Sequence, residues 1–316
     1  MTLSTDELHA RFEQRLREVA VADSPFVTEA ATHVIAAGGK RFRPQLVFLA
    51  AETGGGADVE RMIDAALVME LTHVASLYHD DVMDEADLRR GVPSANARWD
   101  NTVAILVGDF LFARASEVVA VLGQEYVTLQ ARTFARLVQG QIAETIGPDD
   151  EEDPLDHYLH VIADKTGSLI TASALFGAMV AGAPEETCRA LKAYAEEIGV
   201  VFQLSDDLID ITSEETGKTP GTDLREGVPT LPVLMLRQSS DAEDAALLQL
   251  IDGDLEDDRE LARVLALLRA HPVMDKAEAY VRSRAEMAVS HLEQLPDSEA
   301  RSALVEIAHE LVARTT

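Results

Sequence analysis

Two stretches of this sequence carry three aspartates at the same spacing: Asp80, Asp81 and Asp84, then Asp206, Asp207 and Asp210. At helical pitch, residues four apart share a face and lie about 6 Å apart along the axis, so Asp80 pairs with Asp84 and Asp206 with Asp210. Carboxylates so placed repel each other and weaken a helix unless a cation sits between them. Each cluster follows a strongly apolar run, LVMELTHVASLYH before the first and AEEIGVVFQLS before the second. Both helices therefore have a buried face, where bare negative charge is costly. Mg²⁺ suits such a site, because it takes oxygen ligands and binds one or two carboxylates together with substrate phosphates. The chemistry expected is stabilisation of the charge that a diphosphate gains as its C–O bond breaks. A lone cluster in an acidic protein is equally well a solvated helix end; two clusters with basic partners are not.

Basic residues are scarce here, so their positions are informative. The formal charge is −29, which argues against a general binder of nucleic acid or anionic membrane. Against that background, Gly38-Gly39-Lys40-Arg41-Phe42-Arg43-Pro44 and Arg89-Arg90-Gly91 mark candidate anion sites. Glycines let backbone approach an anion, while Lys and Arg supply charge and forked hydrogen bonds. Arg89 and Arg90 follow the first cluster closely enough to reach back over it, and two adjacent arginines on a turn can serve two different diphosphates. His73 lies two helical turns before Asp80 on nearly the same face and is a candidate anion ligand. His33, His157 and His160 read as satisfied packing histidines, and His79 as one packed beside the metal site. Lys165 and Thr166 fall early in an apolar helical pattern, where a lysine needs an anionic partner or a route to water. Gln203 stands one turn before Asp206, and Lys218 lies on a glycine-bearing loop after the second cluster, where it can close over an anion.

These side chains need a helical scaffold, and the composition supplies one. Hydrophobic residues make up 47% and aromatics 5%, with Ala and Leu abundant and β-branched runs short, which points to an all-α core. Apolar periodicity predicts helices over 5–20, 25–37, 44–53, 58–83, 94–98, 101–122, 125–147, 154–181, 184–212, 230–238, 241–252, 257–270, 273–293 and 296–313. The long loop is 213–229, rich in Gly, Pro and charge. No linker of low complexity interrupts the chain, so residues 1–316 read as one domain with the two clusters facing a shared cavity. The single Cys188 fits a reducing compartment, and the charged amphipathic N-terminus does not read as a signal peptide. The longest apolar stretch, Leu169 to Ala183, falls short of the roughly 20 residues that span a bilayer.

Several segments together resemble the trans-isoprenyl diphosphate synthase, or polyprenyl synthetase, family over nearly the whole chain. They are GGKRFRP at 38–44, HDDVMDEADLRRG at 79–91, GDFLFARA at 108–115, QGQ at 139–141, KTG at 165–167, FQLSDDLID at 202–210 and GKTPGTDLREGVPTLP at 217–232. The resemblance implies an isoprenoid-synthase-type helical bundle around a deep central cavity, a cytoplasmic homodimer, and two substrates, isopentenyl diphosphate and an allylic diphosphate. It implies that Lys40, Arg43, His73 and Arg90 bind isopentenyl diphosphate, and that Arg89, Lys165, Thr166, Gln203 and Lys218 hold the allylic diphosphate. It further implies that Asp80, Asp84 and Asp206 ligate on the order of three Mg²⁺ ions, with Asp81, Asp207 and Asp210 completing the catalytic set alongside Lys165. One departure stands out: many relatives carry a lysine after the Glu-Gly of the loop, and here the residue is Val228.

Product length should follow from what lines the cavity. Ala75 and Ser76, one turn before Asp80, are small where short-chain members carry bulky aromatics, so a growing chain can pass beside Thr72, Leu71 and Val68. The expected product is a polyprenyl diphosphate longer than the fifteen-carbon one; a geranylgeranyl-length product, or a non-catalytic subunit of a heteromeric synthase, is the alternative. A terpene cyclase is disfavoured, because its second metal site typically pairs Asn, Ser and Glu.

Overall fold

The structure, a computed structural model, describes residues 4–212 and 220–314. It is all-α, as expected, with sixteen helices and one two-stranded hairpin among the described residues. In chain order these are α1 (Thr5–Val19), α2 (Pro25–Ala36), α3 (Phe42–Thr53), α4 (Val59–Met83), β1 (Leu88–Arg89), β2 (Val92–Pro93), α5 (Ala95–Arg98), α6 (Asn101–Leu122), α7 (Gln124–Ile146) and α8 (Pro154–Lys165). There follow α9 (Gly167–Val180), α10 (Glu185–Thr212), α11 (Thr222–Arg225), α12 (Leu231–Arg237), α13 (Ala242–Ile251), α14 (Asp258–Arg269), α15 (Pro272–Leu292) and α16 (Glu299–Ala313). Two compact units are distinguished, Met1–Ala135 with Leu169–Lys192, and Arg136–Ser168 with Ala193–Thr316.

In the first unit α4 is the central helix. The Asp58 side chain caps its start by accepting from the Glu60 and Arg61 amides, and the residues from Met62 to Tyr78 are buried almost all round, as a helix enclosed by others must be. The Tyr78 hydroxyl donates to the Ala30 carbonyl at 2.5 Å and accepts from the Val34 amide, which ties α4 to α2. Arg41, in the left-handed turn before α3, pairs with Glu13 of α1 and with Glu70 of α4, itself 2% exposed. This arginine of the GGKRFRP segment is therefore structural, and a buried Glu70 is tolerable because it has that partner. Gly177 lets α9 lie directly on α3, since a Cβ there would come 2.2 Å from the Val47 carbonyl oxygen.

After α4 the chain turns back through the hairpin, with Leu88 opposite Pro93 and Arg89 opposite Val92. Arg90 and Gly91 form its two-residue turn with φ of +54° and +79°, the left-handed pair that matches strand twist. A non-glycine residue in that region is unusual, and here the turn aims the Arg90 side chain back across the unit.

In the second unit α10 carries the second aspartate cluster near its end and is anchored at its other face by Tyr194, whose hydroxyl donates to the Leu304 carbonyl of α16 at 2.6 Å. The helix expected over 154–181 is in fact two. Helix α8 ends at Lys165, Thr166 caps it, and α9 begins at Gly167. The break coincides with a close approach of backbones: a Cβ on Gly199 of α10 would sit 2.5 Å from the Gly167 Cα. Within the expected long loop, residues 222–225 make the short helix α11, and the Gly221 amide donates to the Asp210 carbonyl.

Candidate active site

The first cluster closes α4. Asp80 is half-buried, Asp84 is exposed and caps the helix, and Asp81 is fully buried. Arg89 takes Asp81 through both Nε, at 2.6 Å, and Nη2, at 2.5 Å, and both bonds fall on Oδ1. Burial pushes the Asp81 carboxyl up and the Arg89 guanidinium opposes that shift. Thus Arg89, expected on the allylic diphosphate, is engaged with the aspartate behind its own hairpin.

The cations expected on isopentenyl diphosphate gather in the same unit. Arg90 Nη1 donates to the carbonyls of Val34, at 3.1 Å, and Gly38. Gly39 makes room for it, because a Cβ there would lie 2.9 Å from the guanidinium carbon. Arg43 is pushed down to about 10, first by burial and then by Arg90, against the opposing charges of Glu70 and Asp80. Its Nε is shielded from solvent and has no hydrogen-bond partner among the described residues. Burial and the charges of Arg43, Arg90, Arg89 and Arg41 drive His73 well below the ordinary 6.5, so its imidazole is neutral. Lys40 is exposed on the turn that precedes α3.

Beside α4 lies a cavity of about 530 Å³, bounded by Thr72, His79, Phe112, Gln130 and Phe134 among others. Its rims are polar, with Gln130 Nε2 donating to the Thr72 hydroxyl and His79 Nε2 at 3.1 Å from the Ile105 carbonyl. Its walls are apolar, with the Phe112 and Phe134 rings 4.3 Å apart. Gly108 of the GDFLFARA segment is required there: a Cβ would meet His79 Nε2 at 2.3 Å. The cavity reaches Thr72, whereas Ala75 and Ser76 are buried without lining it, and the Ser76 hydroxyl donates to the His73 carbonyl.

The second cluster lies in the other unit, on α10. Asp206 Oδ1 accepts from Arg314 Nη2 at 2.8 Å, and Asp210 Oδ2 accepts from the Asp223 amide at 3.2 Å. Asp207 is 5% exposed; its Oδ2 accepts from the Tyr158 hydroxyl and its Oδ1 from Gln203 Nε2 at 2.9 Å. Burial pushes its carboxyl up to about 7, a shift that those two hydrogen bonds only partly oppose. Gln203 Oε1 accepts from the Thr166 hydroxyl at 3.0 Å, so the two residues expected on one diphosphate already touch each other.

Lys165 does not fall early in a buried helix, as its apolar surroundings suggest; it ends α8, half-buried, with its ammonium 2.5 Å from Glu144 of α7. Gly140, the centre of the QGQ segment, brings those helices together, because a Cβ there would lie 2.5 Å from the Lys165 amide nitrogen. Lys218 lies outside the described residues. Val228, 42% exposed, donates its amide to the Asp223 carbonyl.

Among the described residues no three acidic, histidine or cysteine side chains converge into a metal cage. Each cluster instead offers a carboxylate pair, Asp80 with Asp84 and Asp206 with Asp210, and a pair is what Mg²⁺ takes from a protein when phosphates complete its shell. The donor set fits the ion.

A polyprenyl synthetase family model matches residues 24–268. The chain belongs to the polyprenyl synthetase family. Among similar members, a nonaprenyl diphosphate synthase of Mycobacterium tuberculosis is 46% identical over 308 residues, 96% of this chain and 92% of that protein. Component 2 of the heptaprenyl diphosphate synthase of Geobacillus stearothermophilus is 39% identical, over 96% of this chain and 94% of that one. The geranylgeranyl pyrophosphate synthase of Corynebacterium glutamicum, solved with calcium and isoprenyl diphosphate, superposes with a TM-score of 0.88 at 44% identity, covering 98% of this chain and 96% of that one.

Family landmarks account for the clusters and their cations, but not for Tyr158, Glu144 or Arg314. Tyr158 stands seven residues, two helical turns, before Lys165, on the same face, and that spacing is the one signal in the sequence that points to it.

Proposed function

We propose that this polyprenyl synthetase condenses isopentenyl diphosphate with an allylic diphosphate, head to tail and in trans, to give a polyprenyl diphosphate longer than the fifteen-carbon one. The observation that carries the reading is the group of Arg43, Arg90 and His73, a compact set of cations around a neutral imidazole, with the Arg43 Nε left without a partner among the described residues. Buried donors are rarely left unmade, and a diphosphate supplies the missing acceptor and the missing charge.

In the reaction the allylic C–O bond breaks, leaving an allylic cation and diphosphate. The double bond of isopentenyl diphosphate attacks the cation, a C–C bond forms, and the adduct loses a proton to the released diphosphate. Asp80 and Asp84 of one unit and Asp206 of the other would serve as Mg²⁺ ligands, and the bound ion would supply positive charge to that leaving group. Lys40, Arg43, Arg90 and His73 orient isopentenyl diphosphate; Arg89, Lys165, Thr166, Gln203 and Lys218 serve the allylic diphosphate. Glu144 holds the Lys165 ammonium until a diphosphate competes for it. An apolar cavity beside Thr72 shelters the lengthening chain from water.

The family resemblance supports a homodimer, and α6 presents Ile105, Leu106 and Val121 to solvent at 43%, 61% and 74% exposure, as a helix awaiting a partner does. No described helix is long and apolar enough to cross a membrane. The single cysteine fits a reducing compartment, and we assign the activity to the cytoplasm.

Purified chain given Mg²⁺, isopentenyl diphosphate and allylic primers of increasing length is expected to elongate them, with products sized by chromatography and mass by light scattering. Absence of elongation by the chain alone, with activity restored by a second subunit, favours the heteromeric reading that the component 2 relative suggests. A twenty-carbon end product favours the likeness to the geranylgeranyl synthase instead.

A further inference from the structure

None of the roles above uses Tyr158. It stands on α8, and its hydroxyl donates to Asp207 Oδ2. The other oxygen of that carboxylate accepts from Gln203 Nε2, and Gln203 Oε1 accepts from the Thr166 hydroxyl. Helix α8 thus supplies both ends of a four-residue chain, Tyr158 within it and Thr166 at its cap, while α10 supplies the middle.

The direction of each bond follows from its neighbour. A carboxylate only accepts, so Asp207 turns the amide nitrogen of Gln203 toward itself and leaves the amide oxygen for Thr166. The carboxylate can hold that orientation only while its second oxygen is occupied, and Tyr158 occupies it. Without the phenolic proton, Asp207 has a buried oxygen with no donor and is free to turn about its terminal torsion, which is broad for aspartate. The amide of Gln203 then keeps its sense but loses its fixed position, and the Thr166 hydroxyl loses it too.

We propose that Tyr158 is a positioning residue for the allylic half of the reaction, acting through Asp207 and Gln203 on the Thr166 hydroxyl. The proposal rests on the reading above that Thr166 and Gln203 serve the allylic diphosphate.

Tyr158→Phe removes a single oxygen. Affinities are measured by calorimetry with Mg²⁺ for two probes: the thiolo analogue of farnesyl diphosphate, whose C–S bond ionises slowly, and isopentenyl diphosphate. The variant is expected to bind the analogue about tenfold more weakly and isopentenyl diphosphate within about twofold of wild type. In steady state the allylic KM rises while that for isopentenyl diphosphate holds. Equal weakening of both probes, or of neither, overturns the proposal, because a purely structural tyrosine does not choose between substrates. In the Asp207→Asn background, Tyr158→Phe is expected to add less than about twofold, since the carboxylate it locks is gone; a further tenfold loss there also overturns it. That pair also serves if Tyr158→Phe alone folds poorly, because no buried carboxylate is then left without its donor. Failure of the wild-type chain to bind the analogue at all sinks the proposed function; intact wild-type binding with an unchanged variant sinks only the role of Tyr158.

Discussion

Asp81 and Asp207 occupy the same place in their motifs and are both withdrawn from solvent, yet they are held in opposite ways. Asp81 meets a cation, since Arg89 spans it with two nitrogens. Asp207 meets only neutral donors, Tyr158 and Gln203. Burial raises both carboxyls, but only the first has a full positive charge in contact to oppose it, and the second reaches about 7. In each cluster, then, the middle aspartate is an internal brace, and the outer pair is the one proposed to take the ion. The braces differ because the first is closed by a hairpin that follows at once in sequence, and the second by a helix from earlier in the chain.

The outer aspartates should matter alike. Asp80→Ala and Asp206→Ala are each expected to lower kcat by about 10² to 10³, the cost of losing one stabilising group at a charge that develops in the transition state. Steady-state rates at saturating Mg²⁺ measure it. A mild effect at one cluster alone breaks the equivalence and assigns the leaving group to the other.

The middle aspartates should differ in degree. Asp81→Asn takes the counter-charge from Arg89, but the raised Asp81 carboxyl already opposes folding when ionised, so the change is expected to move stability less than Asp207→Asn does. Asp207→Asn is expected to stabilise the protein above neutral pH. A native carboxyl near 7 holds its proton while the unfolded chain, near 3.8, has released its own. The folded state therefore binds more protons between these values, and the contribution of Asp207 to stability falls as pH rises through that window. The gap sets a ceiling of roughly 4 kcal/mol, complete above about pH 7 and absent below about pH 4. Thermal unfolding in chelator at pH 5 and pH 8 tests both; destabilisation by Asp207→Asn at pH 8 would contradict the neutral brace.

The helices before the clusters also differ. One turn before Asp80 stand Ala75 and Ser76, and one turn before Asp206 stand Val201 and Phe202. Room beside the chain is thus expected along α4, where the cavity at Thr72 lies. Ala75→Phe is expected to shorten the product by one or more isoprene units by displacing its neighbours into that space. Chromatographic sizing that shows the wild-type length removes position 75 from the determinants and leaves Phe112 and Phe134, which do line the cavity, as the next to vary.

Much of this is legible in the amino-acid sequence, and for physical reasons. Apolar periodicity places α6 at 101–122 as expected, and in the structure a Ser4–Glu7 capping box closes the start of α1. The break at Thr166 is hidden, because apolar residues continue through it and Gly167 reads as an interior glycine; its reason is the approach of Gly199, a contact that no local pattern carries. The aspartate spacing announces a cation, but not which carboxylates face inward. That depends on Arg89 and Tyr158, and only the first is near enough in sequence to suggest itself. Arg41 shows the converse: it sits in a basic segment that reads as an anion site, yet Glu13 and Glu70 claim it.

The smallest expected effect concerns Arg314. It follows α16 as its cap and meets Asp206, one of the aspartates expected to ligate Mg²⁺. With the arginine 31% and the aspartate 41% exposed, the pair contributes less than about 1 kcal/mol to stability. Its consequence for the ion is separate from that figure. A guanidinium on Asp206 Oδ1 must leave, or share the oxygen, before the carboxylate takes a metal, so the arginine competes with Mg²⁺ for one ligand. Arg314→Gln removes the competitor and keeps a side chain of similar reach. It is expected to lower the Mg²⁺ concentration at half-maximal rate by about twofold while shifting the melting temperature by only a few degrees. A rise in the Mg²⁺ requirement reverses the assignment, and Arg314 then helps to hold the diphosphate instead of guarding the carboxylate.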